Sequence, residues 1–289
     1  MDINTDVVIV GCGVAGLYSA LKLPRDKRIV IITKSDAESS DSFLAQGGIC
    51  VQRDDEDYDS YFEDTMKAGH YENRKESVDI MIRGSRAVIA DLVEYGVRFE
   101  QENGEFLYTR EGAHSRPRIL FHEDITGKEI TSTLLRQVSK LPNVTLYEYT
   151  SMTDIIEEEG LCKGVRVEDV QDIWKEAEET DISDKQTQEQ PGKQYKIYAK
   201  DTILATGGIG GNYQHSTNFP HLTGDAVRIA KAHGIRLENL DYVQIHPTTL
   251  YSLKPGRRFL ISESVRGEGA VLYNHKKERF VDELLPRDV

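Results

Sequence analysis

The chain has 289 residues, 38% of them hydrophobic, which is enough to bury one large core or two smaller ones. Its net charge of -13 argues against a nucleic-acid partner or a membrane partner, and no apolar run is long enough to span a bilayer. The three cysteines lack C-x-x-C spacing, so neither a disulfide framework nor a metal site is predicted. A cytoplasmic location is expected, because no signal-like segment precedes the first strand.

The first predicted elements are a strand over residues 7–10 and a helix over residues 17–23, joined by a G-x-G-x-x-G turn. In a dinucleotide-binding turn, the first glycine allows a tight bend, the second lets the backbone approach a phosphate, and the third lets the helix pack on the strand. The pyrophosphate would lie at the N-terminus of that helix. A purely structural glycine turn is the alternative. The predicted cofactor contacts here are Gly11, Gly13, Val14, Ala15 and Gly16.

The second predicted strand, over residues 29–33, ends without the acidic residue that NAD-binding domains place on the ribose. Thr33, Lys34 and Ser35 stand at this point instead. The NAD signature is therefore incomplete, so the adenosine must be held in another way, and Lys34 is the candidate contact.

The central part of the chain is predicted to hold helices followed by a β-meander. Helices are expected over residues 63–69 and 131–141, and between Ser77 as N-cap and Gly96 as stop. The buried stripe expected on this longer helix is Ile80, Val88, Leu92 and Val93. The meander is expected to use strands at residues 144–148, 153–157, 164–168 and 195–199.

The remaining predicted elements begin with a polar insertion. Residues 169–192 are acidic and almost free of apolar side chains, so they are expected to form a solvated extension. A core strand over residues 202–205 then leads to Gly207 and Gly208. A later helix is expected to have Thr223 as its N-cap and to stop at Gly234.

Short motifs distributed along the chain resemble those of one family. The stretches S-F-L-A-Q-G-G over residues 42–48, L-A-T-G-G over 204–208 and H-L-T-G-D-A over 221–226 all fit a flavin-binding scaffold. With segments 244–248, 262–270 and 286–288, they resemble, in order, the flavoprotein family that contains succinate dehydrogenase, fumarate reductase and L-aspartate oxidase. The resemblance implies an α/β fold. A Rossmann-like FAD-binding domain with a β-meander is expected over residues 1–234, lacking its C-terminal segment, and the start of an α+β capping domain over residues 235–289.

The resemblance implies FAD as the cofactor. Residues 45–48 would bring backbone N–H groups to its reactive ring, although an ordinary tight loop is the alternative. Membrane-bound members of the family attach FAD to a histidine at the position of Asp41. A carboxylate cannot form that bond, so noncovalent FAD is expected. The further implied cofactor contacts are Ser42, Ala45, Gln46, Gly47, Gly48, Ala205, Thr206, Gly207 and Asp225.

The loop over residues 107–116 resembles that of the aspartate-oxidising members, and Glu111 stands in it. A carboxylate attracts the ammonium group that distinguishes aspartate from succinate, whereas the alternative for Glu111 is an ordinary surface position. The other residues implied by the resemblance are Gln244, His246 and Ser262 for substrate binding, and Glu263, Arg266 and Arg287 for catalysis. Arginine stays protonated in water, so Arg287 is better suited to clamping a carboxylate than to accepting a proton. A salt bridge to Asp288 or Glu283 is its structural alternative.

The reaction implied by the resemblance is the FAD-dependent oxidation of L-aspartate to iminoaspartate, with reoxidation by oxygen or fumarate. The product would enter quinolinate and NAD biosynthesis, with quinolinate synthase as the pathway partner. Two alternatives stay open, a soluble fumarate reductase and a noncatalytic flavin-binding fragment.

Overall fold

The computed structural model describes residues 2–111, 113–170, 192–254, 256–267 and 269–283. The chain groups into two compact units. The first unit comprises Met1–Leu44, Thr131–Gln244 and Thr249–Phe259, and the second comprises Ala45–Ile130, Ile245–Thr248 and Leu260–Val289. The domain boundary placed after residue 234 from the sequence stays a prediction. The expected polar extension falls almost entirely outside the described residues.

The strands and helices follow the chain in this order. The strands are β1 Ile3–Asn4, β2 Val7–Val10, β3 Ile29–Ile32, β4 Ile49–Cys50, β5 Gln101–Glu102, β6 Glu105–Phe106, β7 Ile119–Leu120, β8 Val144–Tyr147, β9 Thr150–Glu158, β10 Leu161–Asp169, β11 Gln194–Tyr198 and β12 Asp201–Leu204. The helices are α1 Val14–Lys22, α2 Asp41–Leu44, α3 Asp57–Ala68, α4 Lys75–Tyr95, α5 Thr126–Val138, α6 Asp225–Ala232 and α7 Glu263–Gly267.

A parallel sheet with strand order β12-β2-β3-β8 forms the base of the first unit. Every residue of β2 and β3 is buried, as expected for strands that are apolar on both faces and lie inside a parallel sheet. Each such side chain contributes roughly 1.5–3 kcal/mol through burial. The two predicted strands are confirmed to within one residue, and so is the predicted Rossmann-like α/β architecture. The predicted core strand after residue 201 is β12, but it lies at the sheet edge and its Leu204 is 48% exposed.

A second sheet, with order β1-β11-β10-β9, packs its apolar residues into the same unit. Strands β9, β10 and β11 pair antiparallel in sequence, which confirms the predicted meander for three of its four strands. The strand predicted over residues 144–148 is confirmed as β8, but its place in the meander was wrong, because β8 pairs in parallel with β3, with Ile29 opposite Val144. Alternating side chains identify a strand but not the neighbour with which it pairs.

Helices α3, α4 and α5 begin earlier than the sequence predicts. Helix α3 starts six positions before the predicted residue 63, and α5 starts five positions before the predicted residue 131. Helix α4 has Arg74 rather than Ser77 as its N-cap, and Gly96 ends it in the left-handed conformation, as predicted. For α6 the predicted cap Thr223 was also wrong, because the N-cap is Gly224.

The buried face of α4 differs from the predicted stripe. Ile80 is 66% exposed and Val93 is 41% exposed, although both were expected to be buried. The residues that α4 buries are Val78, Ile82, Ser85, Ile89 and Leu92. Val78 and Ile82 pack with Tyr61 and Met66 of α3 into a small core of the second unit.

Candidate functional site

A cleft in the first unit lies where β2, β3 and β12 reach their carboxyl ends. Ligands of open α/β sheets bind at this edge, outside the carboxyl ends of the strands. The predicted contacts Gly11, Gly13, Lys34, Ser42 and Asp225 all line the cleft, and so do Ala205, Thr206 and Gly207. Its lining also includes residues 39–41, 150–152 and 221–224.

The glycine turn at this cleft has the backbone geometry that a dinucleotide requires. Gly11 has φ +112°, and a Cβ atom there would lie 2.1 Å from the carbonyl oxygen of Ala205, so no other residue fits without displacing β12. Its N–H donates to the carbonyl of Ile32 at 2.9 Å. Helix α1 then begins at Val14 without an acidic residue in its first turn. The N–H groups and dipole of this helix end suit a pyrophosphate, so the cleft fits FAD.

Ser42 contacts the start of α1. The N–H of Val14 donates to the Ser42 hydroxyl at 3.2 Å. A Cβ atom on Gly13 would lie only 2.9 Å from the same hydroxyl oxygen. The small residues of the turn therefore leave room for Ser42 beside the N-terminus of the helix.

Lys34 is fixed at the end of β3. Its ammonium group donates to the Asp225 carboxylate and the Thr223 hydroxyl, both at 2.9 Å, and to the carbonyl oxygen of His221 at 3.3 Å. Two predicted contacts, Lys34 and Asp225, are thus paired at the cleft. Sequence reasoning did not assign Thr223 and His221 to the cofactor, although both lie in the H-L-T-G-D-A motif that was recognised.

Asp41 lies in the same cleft and holds a neighbouring loop. Its carboxylate accepts hydrogen bonds from the N–H of Phe219, at 3.1 Å, and from the side-chain amide of Asn218. Burial raises the pKa of this carboxyl above its usual value, while the bond from Phe219 and the charge of Arg257 act in the opposite direction. The side chain at position 41 thus fixes the loop at Asn218 and Phe219.

The second unit brings Glu111 next to residues 45–48, called here the flavin loop because the sequence predicts that they lie against the reactive ring. A Cβ atom on Gly47 would lie 3.3 Å from Oε1 of Glu111. Next to it, a Cβ atom on Gly48 would lie 2.2 Å from Cγ2 of Ile119 and 2.3 Å from the carbonyl oxygen of Leu120. Gly48 is therefore needed for the close pairing of β4 with β7, and β7 ends the loop in which Glu111 lies.

A cluster around Thr248 gathers other predicted residues of the second unit. Nδ1 of His246 lies 2.9 Å from the Thr248 carbonyl oxygen. The Thr248 hydroxyl donates to the carbonyl of Ile261, at 3.1 Å, and accepts from Arg266, at 2.5 Å. Arg266 in turn lies 3.5 Å from the carboxylate of Glu263. Thr248 was missed by sequence reasoning, and its signal was the third position of the His-Pro-Thr motif.

Burial supports the assembly of this cluster. Ser262, Arg266 and Thr248 are each less than 8% exposed. A buried guanidinium must be paired, and Glu263 and Thr248 supply its partners. Gln244, in contrast, is exposed and belongs to the first unit. Arg287 lies outside the described residues, so its role stays a prediction.

The part of the chain that the structure describes has neither a membrane-spanning helix nor a cluster of possible metal ligands. None of its helices is both long and apolar enough to cross a membrane. Within these same residues, no group of three or more His, Cys, Asp or Glu side chains is arranged to hold a metal ion.

Comparison with known proteins places these observations in a family. The family model described as FAD binding domain matches residues 6–289. An L-aspartate oxidase of Clostridium perfringens is 44% identical over 285 residues, which cover 98% of this chain and 60% of that protein. An L-aspartate oxidase of Clostridium acetobutylicum is 44% identical over 291 residues, covering 100% of this chain and 62% of that protein. The chain thus spans 60–62% of the length of these two relatives.

The fold is shared with a solved structure. A point mutant of the E. coli quinol fumarate reductase FrdA superposes with a TM-score of 0.84 at 26% identity, over 100% of this chain and 49% of that chain. Together with the family match, this confirms the predicted FAD-binding fold and the predicted cofactor, FAD.

Proposed function

Because this chain belongs to the FAD-binding domain family, we propose that the protein oxidises L-aspartate to iminoaspartate with noncovalently held FAD. The relatives named L-aspartate oxidase support the reaction. The observation that carries the proposal is the position of the Glu111 carboxylate beside Gly47 in the predicted flavin loop. When bound, FAD supplies the two-electron redox chemistry, and the protein supplies binding and orientation.

The roles of the protein residues follow from charge. Glu111 attracts the substrate ammonium group, and a desolvated pair of opposite charges is worth far more than an exposed one. His246 and Ser262 bind the substrate carboxylates, with Gln244 as a further contact. Arg266 and Glu263 form the pair that holds and moves a proton, and Arg287 clamps a carboxylate.

The proposal also covers the binding of FAD, the electron acceptor and the fate of the product. FAD is released on denaturation, because Asp41 replaces the histidine needed for attachment. Oxygen or fumarate accepts the electrons in a cytoplasmic reaction. Iminoaspartate then serves quinolinate synthase, as a pathway partner.

A soluble fumarate reductase is the second candidate. Its support is the likeness to E. coli quinol fumarate reductase FrdA and the Glu263–Arg266 pair, 3.5 Å apart. In that case Glu111 would have no ammonium group to recognise. The protein would then consume fumarate with a reduced dye yet ignore aspartate.

Anaerobic mixing of L-aspartate with the FAD-loaded protein tests the proposal. We expect loss of the flavin absorbance with aspartate but not with succinate. Replacing Glu111 by Gln removes a charged hydrogen-bond partner worth about 1.5–3 kcal/mol, so the rate at low aspartate should fall roughly 10- to 150-fold. Glu102→Gln, an exposed position in β5, is the matched control and should leave the rate unchanged. Equal reduction by succinate, or a parental rate in Glu111→Gln, overturns the proposal.

A further inference from the structure

A buried ion network lies behind the segment that carries Glu111. The side chain of Arg118 is 0% exposed and pairs with Asp57 at 2.9 Å and with Asp64 of α3. It also donates to the Ser60 hydroxyl at 3.0 Å, and its guanidinium lies 4.9 Å from the ring centre of Tyr61. Four residues of α3 therefore contact the Arg118 guanidinium.

Asp64 joins this network to the Glu111 segment, defined here as Glu111 and Ala113–Arg118. Its Oδ2 atom accepts from the N–H and from the hydroxyl of Ser115, both at 2.8 Å, and from Arg118. Burial would raise the pKa of Asp64, but these hydrogen bonds outweigh it and lower the pKa, so the carboxyl is ionised. One carboxylate thus binds two residues of the segment to α3.

His114 provides the second attachment. Arg118 can only donate, so Nδ1 of His114, at 3.3 Å, must be the acceptor, and Nε2 carries the proton toward the sulfur of Cys50 at 3.6 Å. Burial and the charge of Arg118 lower the pKa of His114, which agrees with a neutral ring. The N–H of His114 donates to the carbonyl of Glu111 at 3.0 Å. The backbone of Glu111 is therefore linked to β4.

Apolar packing does not fix the segment on this side. A cavity of about 470 Å³ lies against it, lined by Ile49, Tyr61, Met81, Ala113 and His114 among others. Because this cavity leaves space beside the segment, the polar bonds described above help to fix where the segment lies. Those bonds converge on Asp64 and Arg118.

We propose that Asp64 is a positioning residue that keeps the Glu111 carboxylate beside Gly47, and thereby sets the preference for an amino dicarboxylate over a plain one. This inference rests on the proposed function. It adds a residue of α3, 47 positions before Glu111, to the determinants of substrate choice. Asp64 acts through the segment and does not touch the substrate.

The test compares the dissociation constants of L-aspartate and succinate for the FAD-loaded protein, read from the flavin spectrum. Asp64→Asn should weaken aspartate binding roughly 3- to 30-fold relative to succinate, the size expected for a coupled pair of residues. Ser115→Ala, which removes no buried charge, should shift the ratio in the same direction by less. The matched control is Asp79→Asn, which breaks another Asp–Arg pair, 2.8 Å from Arg83, on α4.

Two further measurements separate positioning from a general loss of structure. In a Glu111→Gln background, Asp64→Asn should cause no additional change in the ratio. Amide hydrogen exchange over Ala113–Arg116 should be faster in Asp64→Asn than in Asp79→Asn. Equal weakening of both ligands, or an undiminished effect in the Glu111→Gln background, overturns the inference.

The outcomes also distinguish the two proposals. If Glu111→Gln shifts the ratio and Asp64→Asn does not, the inference about Asp64 is wrong and the proposed function stands. If Glu111→Gln leaves the ratio unchanged, the proposed function is wrong, and the inference is wrong with it.

Discussion

Replacing Arg118 by Met breaks the buried ion network of the second unit. The substitution keeps much of the side-chain volume but removes the charge. Asp57, whose side chain is 1% exposed, would then keep a buried carboxylate without its main partner. Burial would raise the pKa of Asp57, and at present the hydrogen bonds from Arg118, the N–H of Arg53 and Ser60 outweigh that effect and lower the pKa.

The size of the effect follows from the cost of an unpaired buried charge. Breaking a buried ion pair by removing one partner costs about 3–5 kcal/mol. At about 2–4 °C per kcal/mol for a chain of this size, the melting temperature should fall by about 6–20 °C. Adding Asp57→Asn should recover part of the loss, because a neutral amide replaces the unpaired carboxylate.

Thermal unfolding followed by circular dichroism measures this change. Arg83→Met is the control, because Arg83 also pairs with an aspartate but its side chain is 64% exposed, and its melting temperature should stay near that of the parent. A melting temperature for Arg118→Met within about 2 °C of the parent would mean that the network contributes little, and the reasoning about buried charge would be wrong.

The other predictions concern the first unit. Gly11→Ala should abolish FAD retention, measured as the ratio of flavin to protein absorbance after reconstitution, because its methyl group would lie 2.1 Å from the Ala205 oxygen. Burial raises the pKa of Asp41, so stability should decrease as pH rises from about 4 through the raised pKa, and Asp41→Asn should show a weaker decrease in melting temperature. The carboxylate of Asp154, 2.8 Å away, raises the pKa of His233. This pair should therefore stabilise the fold below about pH 6.5, and its contribution should be lost as the pH rises; in His233→Gln this pH-dependent loss of stability should be absent.

Local sequence signals predicted the elements of the cofactor cleft well. Strands β2 and β3 are continuous apolar runs with glycine or polar residues after them, so few other conformations are compatible with their sequence. The G-x-G-x-x-G turn likewise specifies its own backbone, and Gly11 has the positive φ that it implies. In this part of the chain, neighbouring residues determine both the backbone conformation and the suitability of the site for a dinucleotide.

Features that depend on distant partners could not be predicted in this way. Helix α4 carries apolar residues on more than one side, and packing against α3 decides that Val78 and Ile82 are buried while Ile80 is exposed. Asp57 and Arg118 are 61 positions apart, so no spacing rule joins them. Strand β8 matched the predicted period, but its pairing with β3 depends on the whole sheet.

In the proposed function, Glu111 recognises the ammonium group of an amino dicarboxylate beside the flavin loop. A crystal structure of the FAD-loaded protein with an unreactive L-aspartate analogue tests this most directly. We expect the ligand nitrogen to lie within about 4 Å of the Glu111 carboxylate, the range in which opposite charges interact strongly. A bound analogue whose nitrogen points away from Glu111 would contradict it.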